Sequence, residues 1–385
     1  MPQVITHIED LRVLAQQRVP RMFYDYADSG SWTESTYRAN ESDFAKIKLR
    51  QRVAVNMEGR STATKMIGID CKMPVAIAPT GLTGMQHANG EILAAQAAEK
   101  FGVRFTLSTM SICSIEDVAA RTTQPFWFQL YVMRDRDFIE RLIDRAKAAQ
   151  CDALVLTLDL QILGQRHKDL KNGLSAPPKL TVANILNMMT KPRWCMGMLG
   201  TPRRQFGNIV GHVKGVSDMA NLSAWTAEQF DPQLNWGDVE WIKKRWGGKL
   251  IIKGIQDVED AKLAADSGAD ALIVSNHGGR QLDGAQSSIE ALPAIAAEMG
   301  SRIEVHMDGG IRSGQDVLKA WALGARGTYI GRAFLYGLGA LGGEGVTKAL
   351  QIIHKELDLT MAFCGRTRIA DVDRSILLPG TFPTA

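Results

Sequence analysis

The stretch SNHGGRQLDG sets His277 and Arg280 on either side of two glycines. Histidine is the natural general base near neutral pH. Arginine grips a carboxylate through two parallel hydrogen bonds. Gly278 and Gly279 permit a tight turn, so both side chains can return to one pocket. A base beside a carboxylate clamp suits proton abstraction from a small 2-hydroxy acid held by its carboxylate. A lone histidine is often a buried structural residue, but the adjoining Gly-Gly-Arg weighs against that reading here.

Groups of this kind need a rigid frame, and the chain has a regular rhythm from which to build one. Short β-branched or aromatic runs alternate with Ala-rich amphipathic segments. The spacing predicts strands at Val75–Ala78, Phe105–Ser108, Phe126–Leu130, Leu154–Leu158, Leu250–Lys253, Ala271–Ser275, Glu304–Asp308 and Thr328–Ile330. Between them GEILAAQAAEKFG, RDFIERLIDRAKAAQ, VEDAKLAADSGAD and GQDVLKAWALGA read as helices, several ending at glycine. Strand–helix alternation implies parallel strands joined by right-handed crossovers. Eight such units predict an α/β protein with a closed (β/α)8 TIM barrel, and no GxGxxG follows the first strand to suggest a Rossmann sheet. Residues 1–60 read as a polar helical extension. Thr6 and Glu9 have capping-box spacing before Ile8, and MFYDYADSG reads as a short helix ending at Gly30. The strand rhythm breaks from about residue 170 to 246, an insertion after the fourth strand. The whole chain, 1–385, is expected to form one domain.

Barrel enzymes carry their chemistry at the C-terminal ends of the strands. Here those ends read Pro79-Thr80-Gly81, Ser108-Thr109, Gln129-Leu130-Tyr131, Thr157-Leu158-Asp159, Lys253-Gly254, Ser275-Asn276-His277, Asp308-Gly309-Gly310 and Gly331-Arg332. Any one of these polar groups could be a satisfied loop residue, but a whole rim of them is poor material for a structural core. DGGIRSG and GRAF follow the last two strands, where barrels often bind phosphate at a helix N-terminus; Arg312 and Arg332 add charge. A phosphate-bearing ligand is expected there. Asp159 stands ready to stabilise a protonated His277, as a carboxylate does in hydrolase triads. Lys253 has three readings: a cation that stabilises an anionic cofactor ring, a core lysine paired with Asp308, or a Schiff-base lysine.

Composition narrows the field. Apolar residues make up 45% and charged residues 22%, which supports a large core and argues against disorder. A net charge of +4 over 385 residues gives no footprint for nucleic acid. Five cysteines with no CxxC pair predict neither a disulfide framework nor a metal site. The N-terminus carries charges where a secretory signal needs an apolar run, and no 18-residue apolar run is present.

Taken together, SNHGGRQLDG, DGGIRSG, GRAF, WFQLYV and YDYADSG closely resemble the FMN-dependent L-2-hydroxy-acid oxidising enzymes, from about Ile8 to Gly365. The resemblance implies an FMN-dependent oxidoreductase with His277 as base and Asp159 as its partner. It implies that Arg280 and Arg166 hold the substrate carboxylate with help from Tyr24, and that Tyr131 contacts the hydroxyl. FMN would be bound by Pro79, Thr80, Gly81, Ser108, Gln129, Thr157, Lys253, Ser275, Asp308, Gly309, Gly310, Arg312, Gly331 and Arg332. Gly81 and Met110 would line the substrate's side chain. The run TLDLQILGQR lacks the proline common in the family after the fourth-strand Asp, although the Gly164-Gln165-Arg166 spacing survives. PTGLTGM and LSTMSIC look more like the bacterial L-lactate dehydrogenases of that family than its plant-type oxidases. L-lactate oxidation to pyruvate, with quinone or a cytochrome as acceptor, is therefore the expectation. The alternative is an oxygen-using glycolate or lactate oxidase. By resemblance the protein is also expected to be a homo-tetramer or larger.

Residues 170–217 hold seven Lys or Arg and no Asp or Glu. Val182, Ile185, Leu186 and Met189 fall on one helical face, and Trp194, Met196, Met198 and Leu199 follow. A basic amphipathic stretch with a tryptophan reads as a peripheral contact with an anionic membrane surface. Membrane-associated members of the resembled family place their membrane segment in this loop. The cytoplasmic side of the inner membrane is the implied location, with the cytoplasm as alternative. A lid against a neighbouring subunit, or a mobile loop, would carry the same pattern.

Overall fold

In the computed structural model, described over residues 4–174, 181–213 and 228–384, eight parallel strands close into a barrel. They are β3 (Val75–Ile77), β4 (Arg104–Ser108), β5 (Trp127–Tyr131), β6 (Ala153–Thr157), β7 (Lys249–Ile255), β8 (Ala271–Val274), β9 (Glu304–Asp308) and β10 (Gly327–Ile330). Each expected strand is present within a residue or two. β10 pairs in parallel with β3 to complete the ring. All eight are short and almost wholly buried, as strands with side chains on a filled barrel interior and a helical outer shell must be. The register shifts between Lys253 and Ile255, so β7 bulges at the residue that follows Lys253.

The outer helices include Gly90–Phe101, Arg136–Ala148, Val258–Asp266 and Gly314–Ala322, where periodicity placed them. Trp236–Trp246, at the far end of the 170–246 interval, packs beside Arg136–Ala148 as a further member of this ring. Parts of that interval, residues 175–180 and 214–227, lie outside the described residues.

Three helices precede the barrel: α1 (Ile8–Arg18), α2 (Arg21–Ala27) and α3 (Ser35–Lys46). The first starts at Ile8, but its capping box uses His7 and Asp10 rather than Thr6 and Glu9; Thr6 instead donates to the same Asp10 carboxylate. α2 stops at Ala27, short of Gly30. A small antiparallel hairpin that periodicity did not suggest, β1 (Thr64–Met66) and β2 (Ile69–Cys71), packs Met66, Ile67 and Cys71 against the barrel-interior residues Trp127, Val155, Ile251 and Tyr329.

Candidate active site

The mouth at the C-terminal strand ends encloses a cavity of about 610 Å³, within the range that buries a cofactor or drug-sized ligand. His277, Arg280, Arg166, Tyr131, Lys253, Asp308, Gly309, Gly310, Arg312, Gly331, Arg332, Pro79, Thr80, Gly81 and Met110 all line it. Ser108, Gln129, Thr157 and Ser275 are buried just behind. Ser108 Oγ donates to Gln129 Oε1 at 3.0 Å and Gln129 Nε2 donates to Thr157 Oγ1 at 3.1 Å. Three neighbouring strand ends are thus joined in one polar row.

His277 follows β8 in the left-handed region, φ 56°, and Gly278 and Gly279 continue it at 66° and 72°. A non-glycine residue held there is strained. Its surroundings enforce the turn. Asn276 accepts from the Gly279 N–H through both its backbone oxygen and Oδ1, each at 3.0 Å, while its Nδ2 donates to Asn40. A Cβ at Gly279 would lie 2.5 Å from the Tyr37 nitrogen, so only glycine fits.

His277 Nδ1 lies 2.9 Å from Asp159 Oδ1. A carboxylate can only accept, so Nδ1 carries the hydrogen and Nε2 keeps its lone pair. Burial lowers the imidazole's pKa, and Asp159 only partly offsets this, so the ring is neutral at pH 7 and competent as a base. Burial pushes Asp159 up, but His277 and Lys253 prevail and hold it below the usual carboxylate range. Lys253 Nζ donates to Ser275 Oγ at 2.8 Å and lies 3.3 Å from Asp308 and 4.0 Å from Asp159. Burial disfavours its charge, yet the two carboxylates raise its pKa. Bonded to Ser275 and set between two carboxylates, this ammonium fits the reading as a cation, paired with Asp308, rather than the Schiff-base reading.

Arg280 packs over the Tyr26 ring at 4.6 Å, and Arg166 reaches the same ring at 5.9 Å. Arg280 Nη1 donates to the backbone oxygens of Tyr26 and Ser29. Its Nη2 is buried and, among the described residues, has no hydrogen-bond partner. Burial, followed by the nearby Arg166, pulls the Arg280 pKa down to about 10, and Tyr26 and Asp169 offset this only in part. Such an arginine favours a further anion beside it. Asp169, 3.5 Å from Arg166, also faces the cavity.

Tyr24 does not reach the cavity. Its hydroxyl donates to Asp28 at 2.8 Å and accepts from Arg12, while Tyr37 and Tyr336 also donate to Asp28. Tyr26 lines the cavity instead. Helix geometry carried the signal, because Tyr24 and Asp28 are four residues apart and share a face that Tyr26 does not. Asp169 was equally legible, three residues after Arg166 and within one turn of it. Phe206 and Phe230, which wall the cavity from the two ends of the described insertion, left no signal. Phe230 packs edge-on to Tyr131 at 5.7 Å.

At the end of β9, the strand beside β8, Gly309 and Gly310 have φ 94° and 85°, and a Cβ at Gly310 would overlap the Asn40 carbonyl. The helix Arg332–Leu341 begins beside them with no side-chain cap and no acidic residue in its first turn. Open N–H groups flanked by Arg312 and Arg332 fit a phosphate. Arg332 is anchored by bonds from Nε to Ala27 O and from Nη2 to Ser29 O. With the polar row and Lys253 between phosphate end and base, the residues fit a flavin mononucleotide.

In the insertion, α4 (Val182–Met189) and α5 (Pro192–Leu199) are formed. Val182, Ile185, Leu186, Met189, Met196 and Leu199 are exposed, as an interfacial face requires. Trp194 is turned inward. It stacks on Phe23 at 5.5 Å and donates to Met85 O at 2.8 Å. Met198 is buried too. Among the described residues no helix is long and apolar enough to cross a membrane.

Comparison with known proteins agrees with this geometry. Residues 15–379 match the family described as FMN-dependent dehydrogenase. An L-lactate dehydrogenase of Caulobacter vibrioides (strain NA1000 / CB15N) is 45% identical over 376 residues, 97% of this chain and 98% of the relative. One of Acinetobacter baylyi is 43% identical over 377 residues, 97% of this chain and 98% of the relative. The crystal structure of the monotopic membrane protein (S)-mandelate dehydrogenase superposes with a TM-score of 0.93 at 36% identity, covering 98% of this chain and all of that one. A mandelate oxidase structure gives 0.82 at 32% identity, covering 97% and 98%.

Proposed function

The chain belongs to the FMN-dependent dehydrogenase family, flavin-dependent oxidoreductases of 2-hydroxy acids, and within it we propose that this protein oxidises L-lactate to pyruvate and passes the electrons to a membrane quinone or a cytochrome. The observation that carries the reading is one cavity holding a neutral His277 backed by Asp159 and an Arg280 whose buried Nη2 has no hydrogen-bond partner among the described residues.

Arg280 and Arg166 hold the substrate carboxylate, with the ring of Tyr26 rather than Tyr24 against both guanidinium groups. Tyr131 and His277 Nε2 face the carbinol, and His277 takes its proton. Asp159 stabilises the imidazolium that forms. Lys253 holds a positive charge beneath the ring site. Arg312, Arg332, Gly309, Gly310 and Gly331 hold the phosphate. Bound FMN supplies the acceptor for the two electrons leaving the substrate. Gly81 and Met110 wall the substrate's side chain. A homo-oligomer of four or more subunits is part of the same reading.

Anaerobic addition of L-lactate is expected to bleach the flavin more efficiently than glycolate or mandelate, and quinone is expected to restore its colour faster than oxygen. Rapid reoxidation by oxygen with peroxide release would instead assign an oxidase. Bleaching by none of the three acids would sink the reading.

The exposed face of α4 and α5, flanked by Lys191 and Arg193, supports peripheral attachment to an anionic membrane, on the cytoplasmic side of the inner membrane. Exchanging Ile185, Leu186 and Met189 for serine should release the protein from membrane fractions while dye-linked turnover is retained. A variant that still sediments with membranes would remove this face from that role. Deleting the loop is a poorer test, because Phe206 would go with it.

A further inference from the structure

Glu91 lies in the helix Gly90–Phe101, is 1% exposed and takes no part in the chemistry above. Its Oε1 accepts from the Gly84 N–H at 2.9 Å and the Ile112 N–H at 2.8 Å, and its Oε2 accepts from the Cys113 N–H at 3.3 Å. Every one of these donors is a backbone group. Gly84 lies in a short helix, Thr83–Gln86, within the connecting loop after β3, and Ile112 and Cys113 lie in the loop after β4. One buried carboxyl group therefore ties together two separate active-site loops.

Those loops carry Gly81 and Met110. They touch directly at only one further backbone bond near the cavity, Leu82 N–H to Met110 O at 3.0 Å. The gap they leave is narrow: a Cβ at Gly81 would lie 3.3 Å from Met110 Cβ and 3.2 Å from Tyr26 Oη. Farther back the loops are in contact, since a Cβ at Gly84 would sit 2.6 Å from Ile112 Cβ. Burial raises the Glu91 carboxyl pKa against the pull of the backbone donors, so this acceptor is costly to keep in place. A hydrocarbon would fill the same volume without that cost but would leave the N–H groups unpaired.

We propose that Glu91 is a positioning residue for substrate selectivity, fixing the separation of Gly81 and Met110 and so the length of 2-hydroxy-acid side chain the site accepts. The inference rests on the proposed assignment of Gly81 and Met110 to the side-chain wall.

The test compares kcat/KM for L-lactate and L-2-hydroxyhexanoate in the FMN-loaded protein, with flavin content and Tm recorded alongside. Glu91→Asp withdraws the carboxyl group by one methylene and frees the loops. The ratio of long to short substrate is expected to rise about tenfold, the scale of a methylene-sized change in a pocket. Glu91→Gln keeps an Oε1 for Gly84 and Ile112 and should bring the ratio most of the way back. Met110→Ala alone should also raise the ratio, and together with either Glu91 variant the effects should be non-additive. If Glu91→Asp does not fold, the cycle is run with Gly84→Ala, whose added Cβ would lie 2.6 Å from Ile112 Cβ and push the same loops apart. An unchanged ratio in Glu91→Asp (or in Gly84→Ala in its place), or strict additivity with Met110→Ala, overturns the inference while Met110→Ala still supports the wall. No shift from Met110→Ala overturns the wall itself and the inference with it.

Discussion

His277→Gln should lower turnover with L-lactate by roughly a hundred- to ten-thousand-fold, the usual contribution of a positioned general base. That corresponds to about 2.7–5.4 kcal/mol of lost transition-state stabilisation. Glutamine is close in size and can still hydrogen-bond to Asp159, but it cannot take up a proton. His277 is not among the residues assigned to the phosphate, so FMN content should match that of the unaltered protein. Stopped-flow bleaching of the flavin reads the effect directly. The pH profile has a defined sign. The working form is neutral, and burial sets its pKa below the ordinary histidine value. Activity limited by His277 should therefore be full at pH 7 and fall as pH drops through that lowered pKa. Retained turnover in the variant would remove His277 from the role of base.

Arg280→Lys should cost kcat/KM about a hundredfold or more, in keeping with the roughly 2–5 kcal/mol lost when one partner of a buried charge pair is truncated. A lysine keeps the charge but lacks the planar fork. One nitrogen would have to replace both the bonds that Nη1 makes to Tyr26 and Ser29 and the Nη2 that awaits the carboxylate. Tyr26 would loosen along with the clamp. Binding of oxalate, followed by flavin absorbance, should weaken in parallel, because oxalate needs the clamp and not the base. Unchanged oxalate affinity would show that the carboxylate is held elsewhere.

These two residues were the most legible part of the molecule, and the reason is local. Strand, turn and functional group lie within SNHGGRQLDG, so the glycines that permit the turn stand beside the groups it aims. The barrel was legible for a related reason. Its strands are continuous apolar runs, and polar residues begin where each run stops. What escaped depends on contacts distant in sequence. The hairpin β1–β2 has three residues in each strand, too few for a period to show. The assignment of Tyr24 rested on a motif in which two tyrosines stand two residues apart, and Asp28 decides which of them turns inward. Trp194 looked like an interfacial anchor, but its indole N–H finds Met85 O, a partner more than a hundred residues away.

The described ends of the insertion show where the aromatic walls of the cavity get their rigidity. Asn208 accepts from the Ile115 N–H at 2.9 Å, and Gln229 accepts from the Asp135 N–H at 3.1 Å. Both donors stand at the N-terminal ends of helices that follow barrel strands. Phe206 and Phe230 lie within two residues of these bonds and face the cavity, while Asn208 and Gln229 do not. A substitution at either amide would therefore be felt by the substrate without touching it.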